Sequence, residues 1–343
     1  MEFKIKNKYI GDGHPTFIIA EIGANHNGSI KIAKKLIDEA KSAGVDAVKV
    51  QTWQAEKFIS QKNDSEQWLD ADFLKKYEFK LEWIEEIIHY CEKKDLIFFS
   101  TPADYEDCEE LEKYGVPLYK WGGVQITDHP KLKYIASKGK PIILSTGGST
   151  YKEIDEAIEV IKSTGNDKII LLQCTTSYPC DIDKVDLQVI TAFKKKYPYP
   201  IGYSGHTMSI YPPIGSILYG ACVVEKHITL NRNFEGPDHM FAMEPGEFKM
   251  IVEGIRTLEK AMGKKEKCVY EVEKKIIEQG RRSIIASKDI KKNMILTPDM
   301  LDTARPGTGI RPTLENFEKI IPGKKALVDI KEREMLKWEM LDD

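Results

Sequence analysis

Two histidines mark where this chain can do chemistry. His206 stands just past the apolar run of GYSGHT, and His227 closes the run of VVEKHITL, 21 residues further on. Asp238 and His239 follow in a Gly-Pro turn, GPDH. Neutral imidazole is a good ligand for zinc, manganese and iron, and oxygen ligands from a carboxylate, water or substrate beside two imidazoles suit a divalent Lewis acid. A lone histidine more often satisfies a buried polar group than holds a metal. The pair carries more weight because its members end apolar runs one βα step apart.

Lysines supply the second signal. Lys49 and Lys120 interrupt the apolar runs DAVKV and PLYKW. Burying an ammonium without an anionic partner is costly, so both imply a phosphate or carboxylate nearby. Such a lysine can instead form a Schiff base with a carbonyl substrate. Thr101, Ser145, Thr146 and Ser204 end other runs, and the turn at Gly147 and Gly148 offers backbone donors that would complete an anion site. The stretch ANHNG has one glycine, which suits a turn and helix start better than a phosphate loop.

The elements that must position these residues are legible as a rhythm. Short apolar runs at 17–22, 46–50, 96–100, 117–121, 141–145, 168–173, 200–204 and 221–227 alternate with amphipathic segments at 30–42, 81–93, 105–114, 151–163, 187–196 and 245–262. Eight βα units predict an α/β fold, a (β/α)8 TIM barrel over residues 1–262, with its site at the C-terminal ends of the strands. Polar residues gather at the end of every run, although buried barrel strands otherwise read as continuous apolar stretches. A charged stretch at 263–280 reads as a linker, and 281–343 as a small domain of short strands broken by Pro and Gly.

Composition narrows the partners. With 51 basic and 54 acidic residues spread along 343, the chain shows no basic face for nucleic acid. No apolar run approaches the roughly 20 residues of a membrane helix, and the charged N-terminus lacks a signal-like core, so a cytoplasmic location is expected. The six cysteines are scattered without a CxxC pair, pointing to reduced thiols.

Taken in order, AEIGANHNG, VDAVKVQTW, FFSTP, YK before a small-residue turn, ILSTGG, LLQCTTSYP, GYSGHT, EKHITL and GPDH resemble the sialic acid synthase family, makers of N-acetylneuraminate, legionaminate and pseudaminate. RRSIIASKDIKKNMILTPDML with ARPGTGI is similar to the antifreeze-like (SAF) domain that family carries. The resemblance implies a transferase of polysaccharide biosynthesis that joins phosphoenolpyruvate to the open-chain aldehyde of an N-acetylated amino sugar. The products would be a nine-carbon 2-keto sugar acid and free phosphate. It implies a divalent metal, Mn2+ or Mg2+, held by His206 and His227 and polarising the aldehyde oxygen. The methylene carbon of phosphoenolpyruvate attacks, water adds to the oxocarbenium carbon, and phosphate leaves by C–O cleavage. By position, the resemblance places Lys49, Thr101, Lys120, Ser145 and Ser204 on phosphoenolpyruvate, and Glu21, Tyr178 and Asp238 around the acceptor and metal. It places Arg305 in a neighbouring subunit's site, within a domain-swapped homodimer. His239 receives no role.

The chain departs from the family pattern where it matters. After Lys120, relatives usually have a turn with a serine and then an acid; here those positions are Gly123 and Gln125. Glutamine cannot act as acid or base, so the catalytic position of Gln125 implies another proton-transfer group or a slow enzyme. Thr176 replaces a common asparagine, Ala103 a common aromatic, and the run 240–243 is unusually apolar. These departures keep two alternatives open: a related condensing enzyme with a non-sialic acceptor, or a catalytically weak anion-binding paralogue.

Overall fold

The computed structural model describes residues 1–59, 70–263 and 266–342. Two compact units divide the chain, Met1–Gly263 and Lys264–Asp343.

In the first unit an antiparallel hairpin, β1 (Glu2–Ile5) and β2 (Lys8–Gly11), precedes eight parallel strands. These are β3 (Phe17–Glu21), β4 (Ala47–Thr52), β5 (Ile97–Pro102), β6 (Tyr119–Trp121), β7 (Ile142–Ser145), β8 (Ile169–Gln173), β9 (Ile201–Gly205) and β10 (Val223–His227). They close into a barrel because β10 pairs with both β9 and β3. Each expected run became one strand, so the (β/α)8 expectation holds.

Side chains alternate across these strands with a period of two. Ile18, Ala20, Val48, Phe98 and Leu144 face the surrounding helices in one large core. The intervening Phe17, Ile19, Ala47, Ile97, Phe99 and Ile143 fill the barrel interior, where Ile5 and Ile10 of the hairpin join them. Moving two residues up the same strands turns that apolar floor polar: Ile19 gives way to Glu21, Ala47 to Lys49, and Ile143 to Ser145. Register then aligns the mouth, since β10 pairs His227 with Glu21 and β3 pairs Glu21 with Lys49.

The helices follow from local rules. Ile30–Ala43 starts at Ser29, whose side chain accepts from Ile32 N, and ends at Gly44 in the left-handed region (φ 88°). Its buried face is Ala33, Leu36, Ile37 and Ala40, the spacing of a single helical stripe. Tyr151–Lys162 begins with a capping box of Thr150 and Glu153. The hairpin and the helix His129–Ala136 were not among the expected elements. The hairpin's four-residue strands mix charge with single apolar residues and present no apolar run.

The second unit pairs β11 (Ser283–Ala286) with β12 (Leu301–Ala304) in antiparallel sense. Isolated bridges, among them Ile290↔Ile330 and Ala326↔Leu341, hold the remaining extended segments. Ile284, Leu296, Leu301, Ile310, Ile330 and Leu336 are part of its core. The stretch expected as a linker contains a helix, Lys274–Gly280, within this unit, and Glu278 O accepts from Gly307 N at 2.6 Å. Residues 264, 265 and 343 lie outside the described residues. Among the described residues no helix is long and apolar enough to cross a membrane.

Candidate active site

One cavity at the C-terminal mouth of the barrel is lined by Lys49, Lys120, Ser145, Ser204, His206 and His227. Thr101, Gln125, Tyr178 and Asp238 also stand on its walls. Of the expected barrel residues, Thr146 and the turn at Gly147 and Gly148 lie off the surface of this cavity, and so does Glu21; Thr146 Oγ1 donates to Leu172 O at 2.9 Å. Glu21 is fully buried beside the cavity, with Oε1 accepting from Gly23 N at 2.5 Å and Oε2 in a close ion pair with Lys49. Arg305 belongs to the second unit.

Lys49 and Lys120 converge on a residue that the sequence reading left out. Glu225 Oε1 accepts from Lys120 Nζ at 3.0 Å and lies 3.6 Å from Lys49 Nζ, which also donates to Thr101 Oγ1 at 3.1 Å. Burial pushes the Glu225 carboxyl up, but the two ammoniums outweigh it and hold the carboxyl below its ordinary value. Burial pulls the Lys49 ammonium down to about 7, against the pull of Glu225. The lysines were expected to have a phosphate or carboxylate nearby, and the protein itself supplies the carboxylates of Glu21 and Glu225. Glu225 Oε2 remains buried without a hydrogen-bond partner. The period of two would have found this residue, because position 225 shares a strand face with His227.

The imidazoles of His206 and His227 have ring centroids 5.6 Å apart. Phe241, from the apolar run noted above, meets both rings edge-on, at 5.6 and 5.1 Å, and Tyr178 tilts against His206 at 4.2 Å. Phe241 is a second residue the sequence reading missed, and it explains part of that run's apolarity. His206 Nδ1 lies 3.1 Å from Thr175 O. A carbonyl only accepts, so Nδ1 carries the proton and Nε2 keeps a lone pair. Burial lowers the pKa of His206 to about 4 and that of His227 well below its ordinary value, so both rings are neutral.

His227 Nδ1 is buried without a hydrogen bond, 3.6 Å from Asp238 Oδ2. Asp238 Oδ2 accepts from Ala24 N at 3.0 Å, and burial pushes this carboxyl up to about 6. Gly23 sits with φ 52°, and a side chain there would strike Asp238 Oδ2 and approach His227. His239 ties the GPDH turn to the loop after β3, with Nδ1 2.7 Å from Thr229 Oγ1 and Nε2 2.9 Å from Asn27 Oδ1.

Among the described residues no group of three or more His, Cys, Asp or Glu side chains is arranged to hold a metal ion. Two neutral imidazoles, one with an orphaned buried nitrogen, nevertheless suit a cation that completes its shell with water and substrate oxygens. Charge points the same way, because Lys49 and Lys120 face the three carboxylates of Glu21, Glu225 and Asp238.

Gln125 ends a 3-10 turn, Gly123–Gln125, and lines the cavity. Gly123 is pressed against the loop after β7: a side chain there would begin 2.5 Å from Gly147 O and 2.7 Å from Gly147 N. A side chain on Gly147 would in turn strike Thr176 Oγ1. A serine at position 123, as the resemblance led one to expect, therefore does not fit this backbone.

A closed (β/α)8 barrel with paired lysines and paired imidazoles at its C-terminal mouth defines a barrel protein with a polar small-molecule site. Residues 36–267 match the NeuB family and residues 281–342 the SAF domain; the chain belongs to the NeuB family and carries a SAF domain. It is 39% identical over 336 residues to the N,N'-diacetyllegionaminic acid synthase of Campylobacter jejuni, covering 94% of this chain and 99% of that one. It is 32% identical over 345 residues to the human N-acetylneuraminate-9-phosphate synthase, covering 98% and 95%. Its structure is similar to that of the N-acetylneuraminic acid synthetase of Leptospira borgpetersenii crystallised with citrate, with a TM-score of 0.75 and 32% identity, covering 81% and 95%.

Proposed function

We propose that this protein is a nonulosonic acid synthase, condensing phosphoenolpyruvate with the aldehyde of an N-acetylated amino sugar. The observation that carries the reading is the convergence of Lys49, Lys120, Glu225, His206 and His227 on one cavity in a chain of this family. Lys49, Lys120, Thr101, Ser145 and Ser204 bind the phosphate and carboxylate of phosphoenolpyruvate by charge-assisted hydrogen bonds. Glu21 and Glu225 hold the two ammoniums apart and in place. Tyr178 and Asp238 orient the acceptor so that its aldehyde carbon meets the methylene carbon.

His206 and His227 would hold a divalent metal, Mn2+ or Mg2+, which when bound supplies Lewis-acid polarisation of the aldehyde oxygen. Two ammoniums facing three carboxylates leave the mouth short of positive charge for a polyanionic substrate, and a divalent cation reverses that balance. Gln125 hydrogen-bonds to water or to an acceptor hydroxyl and transfers no proton. Arg305 contributes to the site of the other subunit in a domain-swapped homodimer. Mixing Arg305→Ala with His227→Ala protein tests that arrangement, since activity regained in the mixture requires sharing between subunits.

The decisive experiment incubates purified protein with Mn2+, phosphoenolpyruvate and a panel of N-acetylated hexoses. Phosphate release that depends on an acceptor is expected. Silence across the panel, with phosphoenolpyruvate still bound in calorimetry, would favour the anion-binding paralogue.

A further inference from the structure

One buried lysine has no part in the chemistry above. Lys226 is 1% exposed and stays off the surface of the active-site cavity. Neighbouring residues of a strand face opposite ways, so His227 turns into the barrel mouth and Lys226 away from it. On that outer side Lys226 Nζ donates to Gly205 O at 3.0 Å and, in a closer contact, to Thr207 O. These are the carbonyls on either side of His206. Among the described residues the Lys226 amino group has these two backbone partners and pairs with no carboxylate.

The carbonyl between them, His206 O, accepts from Cys180 N at 3.1 Å, and Thr175 O meets the ring at Nδ1. Three successive carbonyls where β9 ends are therefore held from two sides, by the loop after β8 and by β10. Cys180 contributes a backbone N–H, which most substitutions leave in place. The hold on the flanking carbonyls rests on one side chain, that of Lys226. Removing it leaves two buried carbonyls short of a donor, a cost that the turn relieves by rotating its peptides and carrying the imidazole with them.

We propose that Lys226 is a positioning residue that fixes His206 opposite His227. The dipeptide Lys226-His227 then presents one metal ligand itself and sets the place of the other. This rests on the reading of the two imidazoles as ligands. Lys226 touches neither metal nor substrate and acts through the peptide units flanking His206. Loss of groups that hold a ligand from behind typically lowers metal affinity about 10- to 100-fold.

The test titrates Mn2+ alone into full-length protein by calorimetry, comparing wild type with Lys226→Met, Val224→Ala and His206→Ala. Val224 is buried on the same outer face of β10, and its truncation removes packing without unpairing a carbonyl. Expected is Mn2+ affinity about tenfold or more weaker in Lys226→Met, within about twofold of wild type in Val224→Ala, and lost in His206→Ala. Phosphoenolpyruvate affinity without metal should stay within about threefold in Lys226→Met, because Lys49 and Lys120 stand on other strands. In turnover, the Mn2+ concentration for half-maximal rate should rise with its Kd, while kcat at saturating Mn2+ recovers to within about threefold.

Equal weakening of Mn2+ binding in Lys226→Met and Val224→Ala overturns the proposal, as does a parallel loss of phosphoenolpyruvate affinity. Unchanged Mn2+ affinity in Lys226→Met beside a loss in His206→Ala overturns it too, and leaves the metal reading standing. Wild-type protein without Mn2+ affinity removes both. The titrations need no turnover, so a protein silent on every acceptor fails the synthase reading and still decides the role of Lys226. Should Lys226→Met not fold, Lys226→Gln keeps one donor on a shorter arm, and wild-type Mn2+ affinity in that variant overturns the proposal.

Discussion

The floor and the mouth of this barrel are built from the same eight strands and differ by a step of two residues. At the floor, Phe17, Ile19, Ala47 and Phe99 are buried and apolar; at the mouth, Glu21, Lys49, Lys120 and Glu225 are almost as buried and charged. Apolar burial stabilises by about 25 cal/mol per Å². A buried ion pair is often no better than apolar residues of similar volume. The backbone does not distinguish the two ends, so under the proposed function the mouth's charges are kept for what they bind. Stability and function are separated along each strand, as expected for this architecture.

Four expectations test that separation, from the largest effect to the smallest. His206→Ala or His227→Ala should lower kcat/KM at least about a thousandfold, because Lewis-acid stabilisation is worth several kcal/mol. Their melting temperatures should stay within about 3 °C of wild type. Chelation followed by Mn2+ addition should reproduce the loss and its recovery. Phe99→Ala, at the floor, should cost about 3–5 kcal/mol in denaturant unfolding. Its kcat/KM at low temperature should stay within about twofold of wild type; a large kinetic loss without destabilisation would erase the contrast.

Glu225→Gln leaves Lys120 and Lys49 short of a carboxylate and should cost about 3 kcal/mol of stability, with weaker phosphoenolpyruvate binding. Adding Lys120→Met should recover much of the stability and none of the binding. A double variant as unstable as the single one would mean the pair stabilises the fold. Gln125→Glu, the smallest change, should alter kcat by less than about tenfold and leave acceptor preference as it was. Activity confined to N-acetylmannosamine in that variant would count against a distinct native acceptor.

Much of this was legible in the sequence because a parallel barrel strand is buried on both faces. Each strand therefore announced itself as a continuous apolar run, and each mouth residue as an interruption. The interruptions at Lys49, Lys120, His206 and His227 all proved to line one cavity. What escaped lacked that contrast. Glu225 was hidden inside EKH, where three polar residues in a row obscure which side each faces; the pairing of Val223 with Phe17 and His227 with Glu21 fixes it inward. Lys226, between them, turns outward and donates to Gly205 O and Thr207 O. Phe241 follows no strand period, and its place against both imidazoles depends on the path of the preceding loop. The partners of the buried lysines were also invisible, since Glu225 is 105 residues from Lys120.

The stack of Gly123, Gly147 and Thr176 has a consequence for how this site can change over generations. A serine at position 123 has no room until the loop at Gly147 moves, and any side chain at Gly147 waits on Thr176. Effects at such neighbouring positions are not additive. Gly123→Ser alone is a step uphill, so a serine can settle at this position only together with changes at Gly147 and Thr176.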